Sequence, residues 1–427
     1  MTKTDTNKLA LIIPVEGALT GQVTLPGSKS VTNRALLVAA LAKGRSRLTG
    51  ILRSDDTKYM MAALAQMGVS ISQVNDTTVE VEGSGQLHAP DAPLFLGNAG
   101  TAVRFLTAAV SLVDGPVTVT GDAHMQKRPI APLVETLTAM GIDASTDTGC
   151  PPVQINGTGG FTAGDIEVSG ALSSQYISAI MMLAAMGDGE VRIHIQGGKI
   201  GAVGYLHITA AVMRAFGAQV DFPAPDQIVI QPGGYTAADY AVEPDASAAT
   251  YLWAAEALTG GQIDIGAQSG DMNQPDAAAY NMIRAFPNMP GTIDGAQMQD
   301  AIPTLAVLAA FNNTPLRFTG IANLRVKECD RIIALHDGLT RIRADLATVA
   351  GDDLIVHADP GLAGQTLPAR IDSYADHRIA MCFALAGLKI HGIQIEDPDC
   401  VSKTFPSYWE VLRSLGVQVE ISGDSPA

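Results

Sequence analysis

The chain is predicted to be an α/β protein assembled from repeated units, and three observations carry that expectation. Helix tails ending in an apolar residue, usually followed by glycine, run directly into short alternating strands. Small-residue helices, apolar on nearly every face, alternate with them. The two patterns recur six times along 427 residues, a length sufficient for two domains with substantial cores.

The first pattern stands at "LAQMGVSI" (from Leu64), "LTAMGIDA" (from Leu137), "MRAFGAQV" (from Met213) and "LRSLGVQV" (from Leu412). Glycine ends such helices because it enters the left-handed region without a Cβ clash. The alternation after it suits a strand with one buried face. "IRAFPNMPGTI" (from Ile283) and "LTRIRADLATV" (from Leu339) are degenerate copies. Gly68, Gly141 and Gly217 are almost evenly spaced, and the rhythm resumes less regularly in the second half.

The second pattern begins at "SKSVTNRALLVAAL", "GTAVRFLTAAVSL", "SSQYISAIMMLAAM", "DASAATYLWAAEAL", "DAIPTLAVLAAF" and "DHRIAMCFALAGL". Helices apolar all round are predicted to be buried. Each is followed by glycine or a turn and then a strand such as "PVTVTG" or "EVRIHIQG". One unit therefore reads as strand, buried helix, strand, outer helix and further strands.

Bulk properties narrow the function. A net charge of −16 argues against general nucleic-acid or anionic-membrane binding and makes clusters of the 27 Lys and Arg informative. Cys150, Cys329, Cys382 and Cys400 are dispersed, which fits a reducing compartment and argues against a structural zinc site. The apolar run near the start breaks at Pro14, so neither a signal peptide nor a membrane span is read, and a cytoplasmic location is expected. The final "SGDSPA" reads as a disordered tail.

The opening helix, "LPGSKSVTNRALLVAALAKG" from Leu25, poses the functional question. It is no P-loop: Ser28 separates Gly27 from Lys29, and Gln22 stands where that motif needs its first glycine. Ser28 or Ser30 can still cap a helix whose free N–H groups favour an anion, with Lys29 and Arg34 adding charge. Equivalent starts carry Gly100-Thr101-Arg104, Ser173-Ser174-Gln175, Asp245-Ser247, Asp300 and Asp376-His377-Arg378. Capping explains Ser, Thr and Asp at these places. It does not explain Lys29, Arg34, Arg104 and Arg378, which the helix dipole disfavours there. A shared anionic ligand offsets that penalty.

These motifs carry a resemblance. "LPGSKSVTNRALL", "LGNAGTAVR", "KRPI", "SGALSSQYISA", "EPDASAATY", "LRVKECDRI", "YADHRIAM" and "SKTFP" occur in order from about Val15 to Leu415. Together they resemble the enolpyruvyl transferases, in the branch of the 5-enolpyruvylshikimate-3-phosphate synthases. The resemblance implies an inside-out α/β barrel fold of two similar domains, each with three βαβαββ units around a pseudo-threefold axis. Residues 27–242 would form one domain, and 1–26 with 243–427 the other, with the active site in the interdomain cleft. It implies transfer of the enolpyruvyl group of phosphoenolpyruvate to the 5-hydroxyl of shikimate 3-phosphate, without metal or organic cofactor, in a cytoplasmic monomer. Nucleic acid and membrane are not expected partners; glyphosate is implied as an inhibitor.

Residue by residue, the resemblance places Lys29, Gly100, Arg128, Gln175, Arg331, Arg378 and Lys403 around phosphoenolpyruvate, where arginine forks suit carboxylate and phosphate. Lys29, Ser30, Arg34, Ser173, Ser174, Gln175, Asp300, Asn323 and Lys327 would meet shikimate 3-phosphate. Glu328 is implied to handle the methylene proton and Asp300 the hydroxyl proton, with Lys29 a partner in either step. Asn98, Arg104, Tyr205 and His377 would support the site. Two departures stand out. Ala202-Val203-Gly204-Tyr205 replaces an expected Ser-Lys-Pro-Tyr, and Phe105 stands where proline is common. The rival readings are the sister enzyme acting on UDP-N-acetylglucosamine, and a catalytically inactive anion-binding homologue. "GDAHMQKRPIAP" lacks the sister enzyme's loop cysteine, and Asp300, Glu328 and Lys29 are all present.

Overall fold

A computed structural model describes residues 8–169, 173–197 and 201–422. The chain divides into two compact units, Gly27–Pro244 and Met1–Pro26 with Asp245–Ala427. The later junction thus falls just beyond Val242, directly before Asp245, whose carboxylate caps the next helix by accepting from Ala248 N at 3.0 Å. Of the terminal "SGDSPA", Ser422 is hydrogen-bonded to Leu9, its Oγ accepting from Leu9 N at 2.8 Å, and the residues after it lie outside the described residues.

Gly27–Pro244 contains α1 (Lys29–Leu41), α2 (Asp55–Gln66), α3 (Gly100–Ala109), α4 (Ala131–Ala139), α5 (Ser174–Ala184) and α6 (Gly204–Ala215). Its third repeat displays the unit most plainly. Strand Asp165–Ser169 leads through α5 to Val191–Gln196, which pairs parallel with it. After α6, the hairpin Val220–Ala224 and Gln227–Ile230 closes antiparallel onto Val191–Gln196. The sheet holding Leu94–Phe95, Asp114–Thr120, Asp143–Ser145 and Val153–Thr158 repeats this order. In the first repeat, the leading strand comes from the far end of the unit: Tyr235–Thr236 and Tyr240–Ala241 pair parallel with Ala42–Thr49.

As expected from their composition, α1 is buried at every residue but Ser30, and α3 is buried throughout. Ala, Val and Leu allow this because they add no polar groups, while the helix satisfies its own backbone. Gly68, Gly141 and Gly217 take φ of +89°, +82° and +88°, the left-handed stop read at these positions. Gly83 and Gly157 show an equivalence the helix markers do not. A Cβ at Gly83 would lie 2.2 Å from Ala42 O, and one at Gly157 2.2 Å from Val113 O. Both strands lie against backbone carbonyls at the end of the repeat's buried helix.

The other unit carries α7 (Ala246–Thr259), α8 (Ala279–Arg284), α9 (Ile302–Ala309), α10 (Arg331–Ile342), α11 (His377–Gly387) and α12 (Tyr408–Ser414). One sheet runs Thr292–Asp294, Leu316–Thr319, Asp353–Val356, Ala347–Ala350, in the same unit order. In another, the N-terminal strand Leu9–Ile12 inserts between His391–Glu396 and Val419–Ile421, antiparallel to both. The remaining repeat is reduced. Thr20–Gln22 pairs parallel with Gln262–Asp264, and α8 is followed by Thr292–Asp294, which opens the next sheet. The strands expected after the outer helix of this repeat are therefore absent among the described residues. "IRAFPNMPGTI" has prolines at Pro287 and Pro290 where a hairpin would need backbone donors. Among the described residues, no helix is long and apolar enough to cross a membrane.

Candidate active site

In Gly27–Pro244, the site residues lie at the starts of α1, α3 and α5. Ser28, in extended backbone, caps α1 by accepting from Val31 N at 3.4 Å. Lys29 follows as the first helical residue, with Nζ 3.3 Å from Asp56 Oδ2, the second residue of α2. Ser30 is half-buried, and its carbonyl accepts from Arg34 Nη1 at 2.9 Å.

Arg34 is 1% exposed. Its Nε donates to Thr209 Oγ1 at 2.7 Å and its Nη2 to Ser178 Oγ at 3.0 Å. The guanidinium lies 4.9 Å from the Phe105 ring centroid and 5.7 Å from that of Tyr205, in cation–π geometry. Burial pushes its pKa down to about 10, with the nearby tyrosines opposing the shift. Phe105, where proline was expected, thus forms a face of the cage around this cation. Ala202, at φ +55° in the turn before α6, brings no hydroxyl to it.

Thr101 does not cap α3. The N-cap is Ala99, which makes no side-chain cap bond. Arg104 instead reaches back to Gly100 O at 2.9 Å and across to Pro129 O at 3.2 Å, under the Tyr176 ring at 5.6 Å. Arg34 and Arg104 therefore share one local solution, each donating to the carbonyl four residues earlier. Protein groups hold these two cations near the helix starts, so their position alone does not require a ligand. Arg128 donates to Asn98 Oδ1 at 3.1 Å. A Cβ on Gly100 would stand 2.7 Å from Arg104 Nη1 and 2.9 Å from Arg128 Cζ. Ser173 caps α5 through Gln175 N at 3.2 Å, Ser174 is buried, and Gln175 Nε2 lies 3.5 Å from Thr101 Oγ1.

The second cluster, in the other unit, centres on Arg331, the first residue of α10 and 1% exposed. Its Nη1 donates to Asp300 Oδ1 at 2.9 Å, its Nη2 to Glu328 Oε2 at 2.8 Å, and its Nε to Asp376 Oδ2 at 2.7 Å. "KECDR" is thus the approach to a buried helix start, with Asp330 as its cap accepting from Ile332 N and Ile333 N. Arg378 Nη2 donates to Asp300 Oδ2 at 3.0 Å, and Lys327 Nζ lies 3.5 Å from Asp300 Oδ1. Lys403 Nζ lies 3.6 Å from Glu328 Oε1. Asn323 is half-buried in the turn Ala322–Val326, and His377 is buried with Nδ1 3.6 Å from Asp376 Oδ1.

Asp300 does not cap α9 as its place in the repeat suggested. It sits in the tight turn Gln299–Ala301, and Ala301 precedes the helix. Burial pushes the Asp300 carboxyl up, but Arg378, Lys327 and Arg331 outweigh it and hold the group well below the usual carboxylate range. Arg331 is raised despite burial because Asp376, Glu328 and Asp300 surround it. Such a cluster can present an ionised carboxylate, a second carboxylate on the same guanidinium, and cations for an anionic substrate.

Several residues at these sites were missed from the sequence. Asp56 pairs with Lys29, Asp376 anchors Arg331, and Ser178 and Thr209 hold Arg34. Asp376 had a usable signal, since it stands at a helix start beside Arg378. The others are brought in by packing between distant segments.

The chain matches the family described as EPSP synthase (3-phosphoshikimate 1-carboxyvinyltransferase) over residues 14–412. It is 64% identical over 414 residues to a 3-phosphoshikimate 1-carboxyvinyltransferase of Rhizobium etli (strain CIAT 652), covering 97% of this chain and 98% of that one. A Pseudomonas syringae pv. tomato protein of the same name is 60% identical over 409 residues, covering 96% and 98%. A solved EPSP synthase from Acinetobacter baumannii aligns with a TM-score of 0.79 at 26% identity, covering 97% of this chain and 100% of that chain.

Proposed function

The chain belongs to the EPSP synthase family, and we infer that it is an enzyme of that kind: it transfers the carboxyvinyl (enolpyruvyl) group of phosphoenolpyruvate to shikimate 3-phosphate and releases phosphate. The observation that carries the roles is the shared guanidinium of Arg331, which holds Asp300 at 2.9 Å and Glu328 at 2.8 Å. Addition followed by elimination needs two proton transfers, one at the attacking 5-hydroxyl and one at the methylene carbon. Two carboxylates on one rigid cation suit that pair of tasks.

In this reading Asp300 accepts the hydroxyl proton. Unliganded, its depressed pKa makes it a weak base. Two polyanions beside Arg378 and Lys327 would offset the cationic field and raise its basicity. Glu328 delivers the methylene proton and must be reprotonated in each cycle. Lys29 assists either transfer. Arg128, Arg378 and Lys403 bind phosphoenolpyruvate; Ser173 and Ser174, at the start of α5, take the phosphate of shikimate 3-phosphate. Lys29, Gln175, Asn323 and Lys327 complete the contacts, and Gly100 leaves space for the cations. Arg34 and Arg331 act mainly by fixing their neighbours, because protein groups already engage all three nitrogens of each guanidinium. Both clusters serve the one reaction, in a cytoplasmic monomer, with glyphosate as a competitor of phosphoenolpyruvate.

The test is mass spectrometry of the product formed from phosphoenolpyruvate with either shikimate 3-phosphate or UDP-N-acetylglucosamine. A carboxyvinyl adduct with the first acceptor alone supports the reading. An adduct with the second, or with neither, overturns it.

A further inference from the structure

Behind Asp300 lies a carboxylate that the proposed chemistry does not use. Asp276 is 0% exposed, in the turn Pro275–Ala278. Its Oδ1 accepts from Ala301 N at 3.2 Å, the amide directly after Asp300. Its Oδ2 accepts from Ser247 Oγ at 2.7 Å, in the first turn of α7. Charged groups that act on it include Asp300 from the Gln299–Ala301 turn, Arg378 from α11 and Asp245 from the start of α7. Asp300 itself is faced by Arg378, Lys327, Arg331 and Glu328.

We propose that Asp276 is a positioning residue for the proton acceptor: it fixes the turn carrying Asp300, and its charge opposes the field of Arg378 there. This rests on Asp300 being the proton acceptor. A buried carboxylate next to a like charge is costly, and retaining it makes sense where the negative charge does work. Without it, Glu328 would be left to oppose Arg378, Lys327 and Arg331 at Asp300, which would be a poorer base. Burial, then the charge of Asp300, pushes the Asp276 carboxyl up to about 6, so the device switches on as pH rises through that value. Below it, neutral Asp276 leaves Asp300 weakly basic. Above it, the added negative charge makes Asp300 a better proton acceptor.

The experiment measures kcat and both KM values from pH 5 to 8.5 for wild type, Asp276→Asn, Ser247→Ala and Asp300→Asn, with melting temperature as the folding control. Asp276→Asn is expected to lower kcat above pH 7 roughly three- to tenfold at unchanged KM and to lose the wild-type rise near pH 6, since rate follows base strength. Ser247→Ala, which removes a hydrogen bond to the ionised form, is expected to move that rise to higher pH. An Asp276→Asn profile superimposable on wild type overturns the proposal, as does a fall in kcat that is uniform with pH. Asp300→Asn separates the two readings: if it keeps full kcat, the assignment of Asp300 fails. If it is inactive while Asp276→Asn is unchanged, only the role of Asp276 fails.

Discussion

The Arg331 guanidinium meets the Asp376 carboxylate at 2.7 Å with both side chains withdrawn from solvent, at 1% and 0% exposure. Asp376 also accepts from Arg378 N at 2.9 Å, so one carboxylate caps α11 and anchors the first residue of α10. Removing its charge would leave a buried guanidinium undercompensated. Breaking such a pair from one side costs roughly 3–5 kcal/mol. Asp376→Asn is therefore expected to lower unfolding stability by about that amount in urea titrations. A change below about 1 kcal/mol would mean that Asp300 and Glu328 suffice to hold Arg331.

Asp276 and Asp300 predict opposite dependences of stability on pH. Asp300 is held low, so its contribution is present above the ordinary carboxylate pKa and is lost as pH falls through its lower folded value. Asp276 is raised to about 6, so the folded state binds the extra proton between about 4 and 6 and loses stability as pH rises across that window. At pH 8 its charged form costs on the order of 3 kcal/mol. Asp276→Asn should thus raise the melting temperature clearly at pH 8 and little at pH 4, by calorimetry. An equal change at both would remove the electrostatic explanation.

Replacing Arg128 or Lys403 with Ala is expected to weaken phosphoenolpyruvate binding far more than shikimate 3-phosphate binding. Loss of a charge-assisted contact to an anion costs about 1.5–3 kcal/mol, roughly ten- to a hundredfold in affinity. Isothermal titration with each ligand is the check. Equal losses for both would contradict the assignment.

A methyl at Gly100 would strike the ends of Arg104 and Arg128, at 2.7 and 2.9 Å. Long side chains can yield, so the fold should tolerate Gly100→Ala, but the Arg128 fork would leave its place beside Asn98. Overpacking of this kind costs about 1–3 kcal/mol. The expected result is weaker phosphoenolpyruvate binding and a larger loss for glyphosate, the longer ligand, with wild type sensitive. Inhibition at matched phosphoenolpyruvate saturation tests this. Identical inhibition of wild type and variant would place glyphosate away from Gly100.

Much of the architecture was legible because it is local. The buried helices follow from apolar residues on every face, and Gly68, Gly141 and Gly217 stop their helices at positive φ as glycine allows. Strand exchange was not legible in the periodicity, although the resemblance implied that residues 1–26 join 243–427. Nothing in the periodicity of Leu9–Ile12 says that it inserts between strands nearly four hundred residues away, or that Tyr235–Ala241 supplies the first edge of an earlier sheet. The reduced repeat after α8 was hidden because "PNMPGTI" still ends in a strand, one that belongs to the next sheet. At the site, the cations could be read from motifs, whereas Asp56, Asp276, Ser178 and Thr209 are partners chosen by tertiary packing. The two caps misassigned at Thr101 and Asp300 have the right residue type but the wrong backbone position.

The most direct measurement is proton NMR of turnover in deuterium oxide with phosphoenolpyruvate and shikimate 3-phosphate. If Glu328 protonates the methylene carbon on the way to a tetrahedral intermediate, that carbon becomes a methyl carrying solvent deuterium, and elimination leaves part of the label on the product's vinyl group. The predicted result is deuterium at the vinyl carbon in wild type, with Glu328→Gln losing turnover. Product formed at the wild-type rate with no deuterium at that carbon would contradict addition and elimination at this site.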